Sequence, residues 1–199
     1  MVKITANGRE LVKDQINLSV KSDSSTVQNA GIIKGLQAMY DVIGPPPSKR
    51  KMSKKLMEDI SKAKGEAKLQ YVSAMFDLLG ENLSSASGAD FTDRAFNFIE
   101  DAIFGDDMAQ VVDLKSTGGK VKEIEPGQFK AFRKYGNSGK PVKLKAQKSA
   151  SDIRILPEGE KATNFLFKFR FKRRNYKNGS GQYVEKIMIE TGKLAYSKK

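Results

Sequence analysis

Residues 164–192 read NFLFKFRFKRRNYKNGSGQYVEKIMIETG, and the reading of this stretch decides the fold. In an extended chain successive side chains point to opposite faces. Phe165, Phe167, Phe169 and Phe171 then share one face, and Leu166, Lys168, Arg170 and Lys172 share the other. The run ends in Asn178-Gly179-Ser180-Gly181, residues that accept positive φ, after which Tyr183, Ile187 and Ile189 resume the alternation. This is the pattern of a β-hairpin. A row of phenyl rings is worth roughly 25 cal/mol for each Å2 of apolar surface it buries, so the four phenylalanines are assigned to core or interface packing. Sheets that stack nucleobases mix rings and cations on one face, whereas here the two are segregated. The cationic row is therefore expected to face solvent. Lys168, Arg170 and Lys172, continued by Arg173, Arg174 and Lys177 with Tyr176 among them, form the expected contact surface for a protein partner or nucleic acid.

Working outward from the hairpin, the net charge of +13 is unevenly placed. Residues 1–119 carry 15 Lys/Arg against 16 Asp/Glu, and residues 120–199 carry 21 against 7. The whole excess sits in the last 80 residues. Just before it, residues 81–119 have 8 acids and 2 bases. An acidic segment followed by a basic one suits three kinds of contact: with polyanions, with acidic patches on other proteins, or with the acidic part of another copy. The chain has no cysteine and no histidine. Thiol nucleophiles, Ser-His triads, imidazole bases and the usual zinc sites are thereby excluded, and no cofactor and no metal are expected. No apolar run approaches the roughly 20 residues of a membrane span, and the start MVKITANGRE lacks the apolar core of a signal peptide. The chain is expected to stay in the compartment where it is made.

Upstream of the hairpin the periodicity changes twice. Val2 and Ile4, a turn at Asn7-Gly8, then Ile16, Leu18 and Val20 predict a short strand pair within residues 1–25. Val27, Ile32, Leu36, Met39 and Ile43 predict a helix that starts near Thr26 and ends at Gly44 and Pro45 to Pro47. From Ser53 to Leu79 the stripe Leu56, Ile60, Ala63, Ala67, Tyr71, Met75 and Leu79, widened near its end by Val72 and Phe76, predicts one long helix with a weak point at Gly65. Phe91, Ala95, Phe96, Ile99 and Ile103 predict a third, stopped by Gly105. Beyond it, QVVDLKS, KVKEIEPGQFKAF, PVKLKAQ and DIRILPEG read as short strands separated by Gly and Pro turns. The expected class is α+β: a strand pair (1–25), a helical region (26–105), and a basic, mainly antiparallel β region (106–199) ending in the long hairpin.

Three kinds of motif have plainer readings. GNSGKP and STGGKV have the wrong spacing and the wrong following residue for a phosphate-binding loop and read as turns. Asp90, Asp93, Glu100, Asp101, Asp106 and Asp107 carry the oxygen ligands a hard cation prefers, but they lack calcium-loop spacing and read as helix-start and loop acids. GPPPSKRKMSKK, with five cations from Lys49 to Lys55, reads as a solvated helix start, with a nucleic-acid-binding arm as the alternative.

The strand pair in KITANGRELVKD, the helical middle and the Lys-rich hairpins of a chain without cysteine or histidine resemble the minor structural proteins of tailed-bacteriophage particles, particularly neck and tail-connection proteins. TGKL, Thr191 to Leu194, is similar to the Thr-Gly, base, leucine run of tail-completion families, which carry it after a helix rather than after a strand. The resemblance implies a non-enzymatic virion component, made in the host cytoplasm, that forms a ring or docks on neighbouring rings. Its partners would be further copies and other virion proteins, and no membrane. The alternative is a soluble nucleic-acid-binding protein using the basic β region.

Overall fold

A computed structural model describes residues 5–6, 9–10, 18–22, 26–45, 47–81, 88–105, 110–114, 122–124, 126–149, 152–172, 179–181, 185–192 and 194. The chain is α+β. Two short strands, β1 (Thr5–Ala6) and β2 (Arg9–Glu10), pair antiparallel, and β3 (Leu18–Ser22) follows. Strand β4 (Thr26–Gly31) leads directly into helix α1 (Ile32–Ile43). Then come a 3-10 turn (Pro47–Lys49), α2 (Arg50–Lys62), α3 (Gly65–Glu81) and α4 (Ala89–Phe104). The remainder is β5 (Gln110–Leu114), β6 (Lys122–Ile124), α5 (Pro126–Tyr135), β7 (Leu144–Ser149), β8 (Asp152–Pro157), β9 (Phe167–Lys172) and β10 (Lys186–Thr191).

The main sheet has the order β4-β10-β9-β8-β7, with every neighbouring pair antiparallel. A smaller sheet, β3-β5-β6, pairs β3 with β5 in parallel. In the main sheet the register aligns Phe169 with Ile153 on one side and Ile189 on the other, and Phe171 with Ile187. One face is therefore an aromatic-aliphatic floor, and the helices close over it. Phe98 of α4 meets Phe167 and Phe169 at ring-centroid distances of 5.7 and 5.6 Å, and Phe76 of α3 meets Phe171 at 6.3 Å. Helix α1 approaches β10 so closely at Gly35 that a Cβ there would collide with the Ile187 side chain. Thr92 at the start of α4 accepts a hydrogen bond from the Leu144 backbone N–H at 3.0 Å, fixing that helix to strand β7.

Three local expectations are corrected. Thr26–Gly31 is strand, not the first turns of a helix; its pairing with β10 supplies the backbone hydrogen bonds a helix would have made. The long helix is two helices. Ala63 is extended, Gly65 has φ +58°, and after the interruption Leu69 turns inward while Tyr71 and Ala67 are exposed; Val72, Met75, Phe76 and Leu79 are buried as expected. GQFKAF is helical: Pro126 occupies the first helical position, where its missing N–H costs nothing. Phe129 and Phe132 then pack against Phe96 at 6.0 and 6.3 Å. No helix among the described residues is long and apolar enough to cross a membrane.

Candidate functional site

The second face of the main sheet is built by the same alternation that builds the aromatic floor. Strand register sets Asp152 beside Arg170, Arg154 beside Lys168, and Glu190 beside Lys168. Asp152 Oδ1 accepts from Arg170 Nε at 3.0 Å, while its Oδ2 lies 3.4 Å from both Lys168 Nζ and Arg154 Nη2. Glu190 Oε2 lies 3.0 Å from Lys168 Nζ and 3.4 Å from Arg170 Nη1. Arg154 Nη1 also donates to the Ala162 carbonyl at 3.1 Å. The Phe165 ring flanks the group, 5.3 Å from Lys168 Nζ and 5.8 Å from the Arg154 guanidinium carbon. Two carboxylates and three cations thus form one connected lattice across β8, β9 and β10.

The lattice is buried at its centre: Asp152, Glu190 and Lys168 are 4%, 6% and 7% exposed. Burial pushes the Asp152 carboxyl up. The hydrogen bond from Arg170 and the charges of Lys168 and Arg170 outweigh that effect and hold it below the ordinary carboxylate value. Arg170 is raised above its ordinary value, chiefly by its hydrogen bond to Asp152, against the opposing effect of burial. Both groups are therefore fully charged near neutral pH. The arrangement cross-links three strands electrostatically, and neither group is poised to exchange a proton at pH 7.

The predicted contact residues are divided by this geometry. Lys168 does not face solvent: β10 is buried along its whole length, and Glu190 on it, with Asp152 on β8, encloses the ammonium. The Arg170 side chain is one-third exposed and is held by the same two carboxylates. Lys172, at the end of β9, is exposed. Arg173, Arg174, Tyr176 and Lys177 lie outside the described residues. Of the phenylalanines, Phe167, Phe169 and Phe171 are buried in the floor beneath the helices. Phe165 is not in that row. The ladder starts only at Phe167, the chain bends at Leu166, and Leu166 takes a buried place while Phe165 turns to the ionic side.

Sequence reasoning missed Asp152, Arg154 and Glu190. A signal was present, since DIR places two charges two residues apart and IMIE ends in one next to an apolar pair spaced by two, but only the strand register shows that these charges fall opposite Lys168 and Arg170. Elsewhere, Asp93 and Glu100 of α4 are ion-paired with Arg133 of α5, at 3.6 and 3.2 Å. Among the described residues no group of acids is placed to hold a metal ion, and Asp106 and Asp107 lie outside them. GNSGKP is a turn with Gly136 and Gly139 at positive φ; STGGKV lies outside the described residues. Comparison of the chain with protein-family models, with curated proteins and with solved structures finds no match.

Proposed function

We propose that the chain is a non-enzymatic structural component of a tailed-bacteriophage particle, at the neck or tail connection, where it forms a ring or docks on neighbouring rings. The observation that carries the structural reading is the commitment of Lys168 and Arg170 to Asp152 and Glu190. The central basic strand spends its charge inside the fold, cross-linking the sheet, instead of presenting a cationic row to phosphates. A sheet with both faces of its central strands shielded suits a rigid part that bears load. The resemblance of layout and of TGKL ties that part to a phage particle. Two strands, β4 and β7, are the outer strands of the main sheet, and such outer strands are the elements through which neighbouring subunits extend one another's sheets.

The test is direct. Mass spectrometry of purified particles from the phage encoding the chain should detect it in a fixed ratio to the other virion proteins. The purified chain should form one discrete closed oligomer by light scattering and negative-stain imaging. Absence from the particles would overturn the assignment.

A further inference from the structure

We infer that the outward face of α2 is a docking surface for the phosphate backbone of duplex nucleic acid, separate from the C-terminal hairpin. Arg50, Lys51, Lys54 and Lys55 are all exposed, and none has an ion-pair partner among the described residues. They occur as two like-charged pairs at i,i+4, Arg50 with Lys54 and Lys51 with Lys55. Each such pair opposes helix formation, and their place in the first turns of α2 sets them against the positive end of the helix dipole. Glu58 and Asp59, one turn on, stand at i,i+4 from Lys54 and Lys55, but neither comes within ion-pair distance of them, so the two pairs at the helix start keep their charge. Lys49, just before them, is the exception, since it is paired with Glu81. Lys62 and Lys64 are also exposed, beyond the acids Glu58 and Asp59, so the basic cluster is confined to the opening turns.

The chemistry of the partner follows from what surrounds the face. At a rise of about 1.5 Å per residue, the members of each pair stand about 6 Å apart along the helix, a line of charge that suits a regularly charged polymer better than a single anion. A membrane surface is disfavoured: Ile60 is buried, Leu56 and Met57 pack against the core, and only Met52 remains as an exposed apolar residue to enter a bilayer. An acidic patch on a second copy is the competing occupant: four surface acids are engaged, while Glu58, Asp90, Asp101, Glu158 and Glu160 are exposed and in no ion pair among the described residues, and affinity for poly-glutamate separates the two. Asp93 and Glu100 are held by Arg133, Asp77 by Lys148 and Glu81 by Lys49.

The experiment titrates the full chain against a short labelled DNA duplex of mixed sequence, by fluorescence anisotropy, at several salt concentrations. Four phosphate contacts give a log–log salt slope of about −3.6, a loss of roughly 150-fold between about 50 and 200 mM salt. The variant Arg50→Gln, Lys51→Gln, Lys54→Gln, Lys55→Gln should lose this binding and its slope, with a melting temperature equal to or above wild type because the repulsion at the dipole is gone. The variant Lys172→Gln, Arg173→Gln, Arg174→Gln, Lys177→Gln should keep both. Unchanged binding in the α2 variant, loss confined to the hairpin variant, or no duplex binding by the wild type would overturn the inference. So would equal affinity for phosphatidylserine vesicles or poly-glutamate. Presence in particles is a separate readout, so the proposed function and this inference fail independently.

Discussion

Asp152 is a single carboxylate that neutralises parts of three cations, and its removal leaves Lys168 buried with Glu190 as its remaining carboxylate partner. Breaking a buried pair in this way costs about 3–5 kcal/mol, so Asp152→Ala should lower the urea midpoint by the corresponding amount. The same carboxylate sets an acid limit. Its folded pKa lies below the unfolded value of about 3.9, so the unfolded chain takes up the proton first. Its contribution is fully present above the ordinary carboxylate range and is lost as pH falls through that range toward the lower folded value. Urea unfolding from about pH 6 down to pH 2 should show a stability slope that Asp152→Asn flattens. The combined Lys168→Ser, Arg170→Ser, Lys172→Ser variant should lower the melting temperature, because two of its three positions are lattice members and only Lys172 is exposed.

At the scale of elements, the β9–β10 hairpin assigns its two faces different work. Phe169 lies between Ile153 and Ile189 in the sheet and beneath Phe98, so Phe169→Ala should cost about 3–5 kcal/mol, while Phe165→Ala, outside the floor, should cost less. Equal losses at the two positions, measured by chemical denaturation, would contradict this division. The period of two made the hairpin and its apolar face legible from residues 164–192 alone. The burial of its cations was not legible, because alternation says which residues share a face and leaves open what stands across from them. The start of α1 was misread for a related reason: Val27 lies five residues before Ile32, off the helical spacing, and belongs to β4. In α5 the cue was present, with Pro at the first position and Phe129 and Phe132 three apart, but Pro-Gly was read as a turn.

Over the whole molecule, the charge division seen in the composition is partly redrawn by the fold. The excess cations of residues 120–199 include Lys168, Arg170 and Arg154, which are tied within their own sheet, and Arg133 and Lys148, which tie α5 and β7 to α4 and α3. Exposed cations in no ion pair among the described residues remain in that half, among them Lys130, Lys134, Lys140, Lys143, Lys161 and Lys172, and a further cluster stands on α2, in the half whose formal charge is nearly balanced. The α+β class was legible because the switch from helical to alternating periodicity near residue 105 is strong. The joining of β4 to β10 was not, since no local pattern specifies a partner so far along the chain.

That joining has a consequence for how the protein is made. Strand β10 lies between β4 and β9, downstream of both, so during translation its place in the sheet stays empty until residues 186–191 have left the ribosome. Until then the α1 surface around Gly35, which rests on Ile187, is bare, and β4 and β9 each offer an unsatisfied edge to any other chain nearby. Nascent chains stalled with that stretch still in the exit tunnel should be cut rapidly by protease between β4 and β9, and chains stalled well beyond it should resist. Equal resistance at both stall points would mean that the helices and the strands before β10 already hold together. Dependence on so late a strand makes the interval before its release the period of greatest exposure to aggregation.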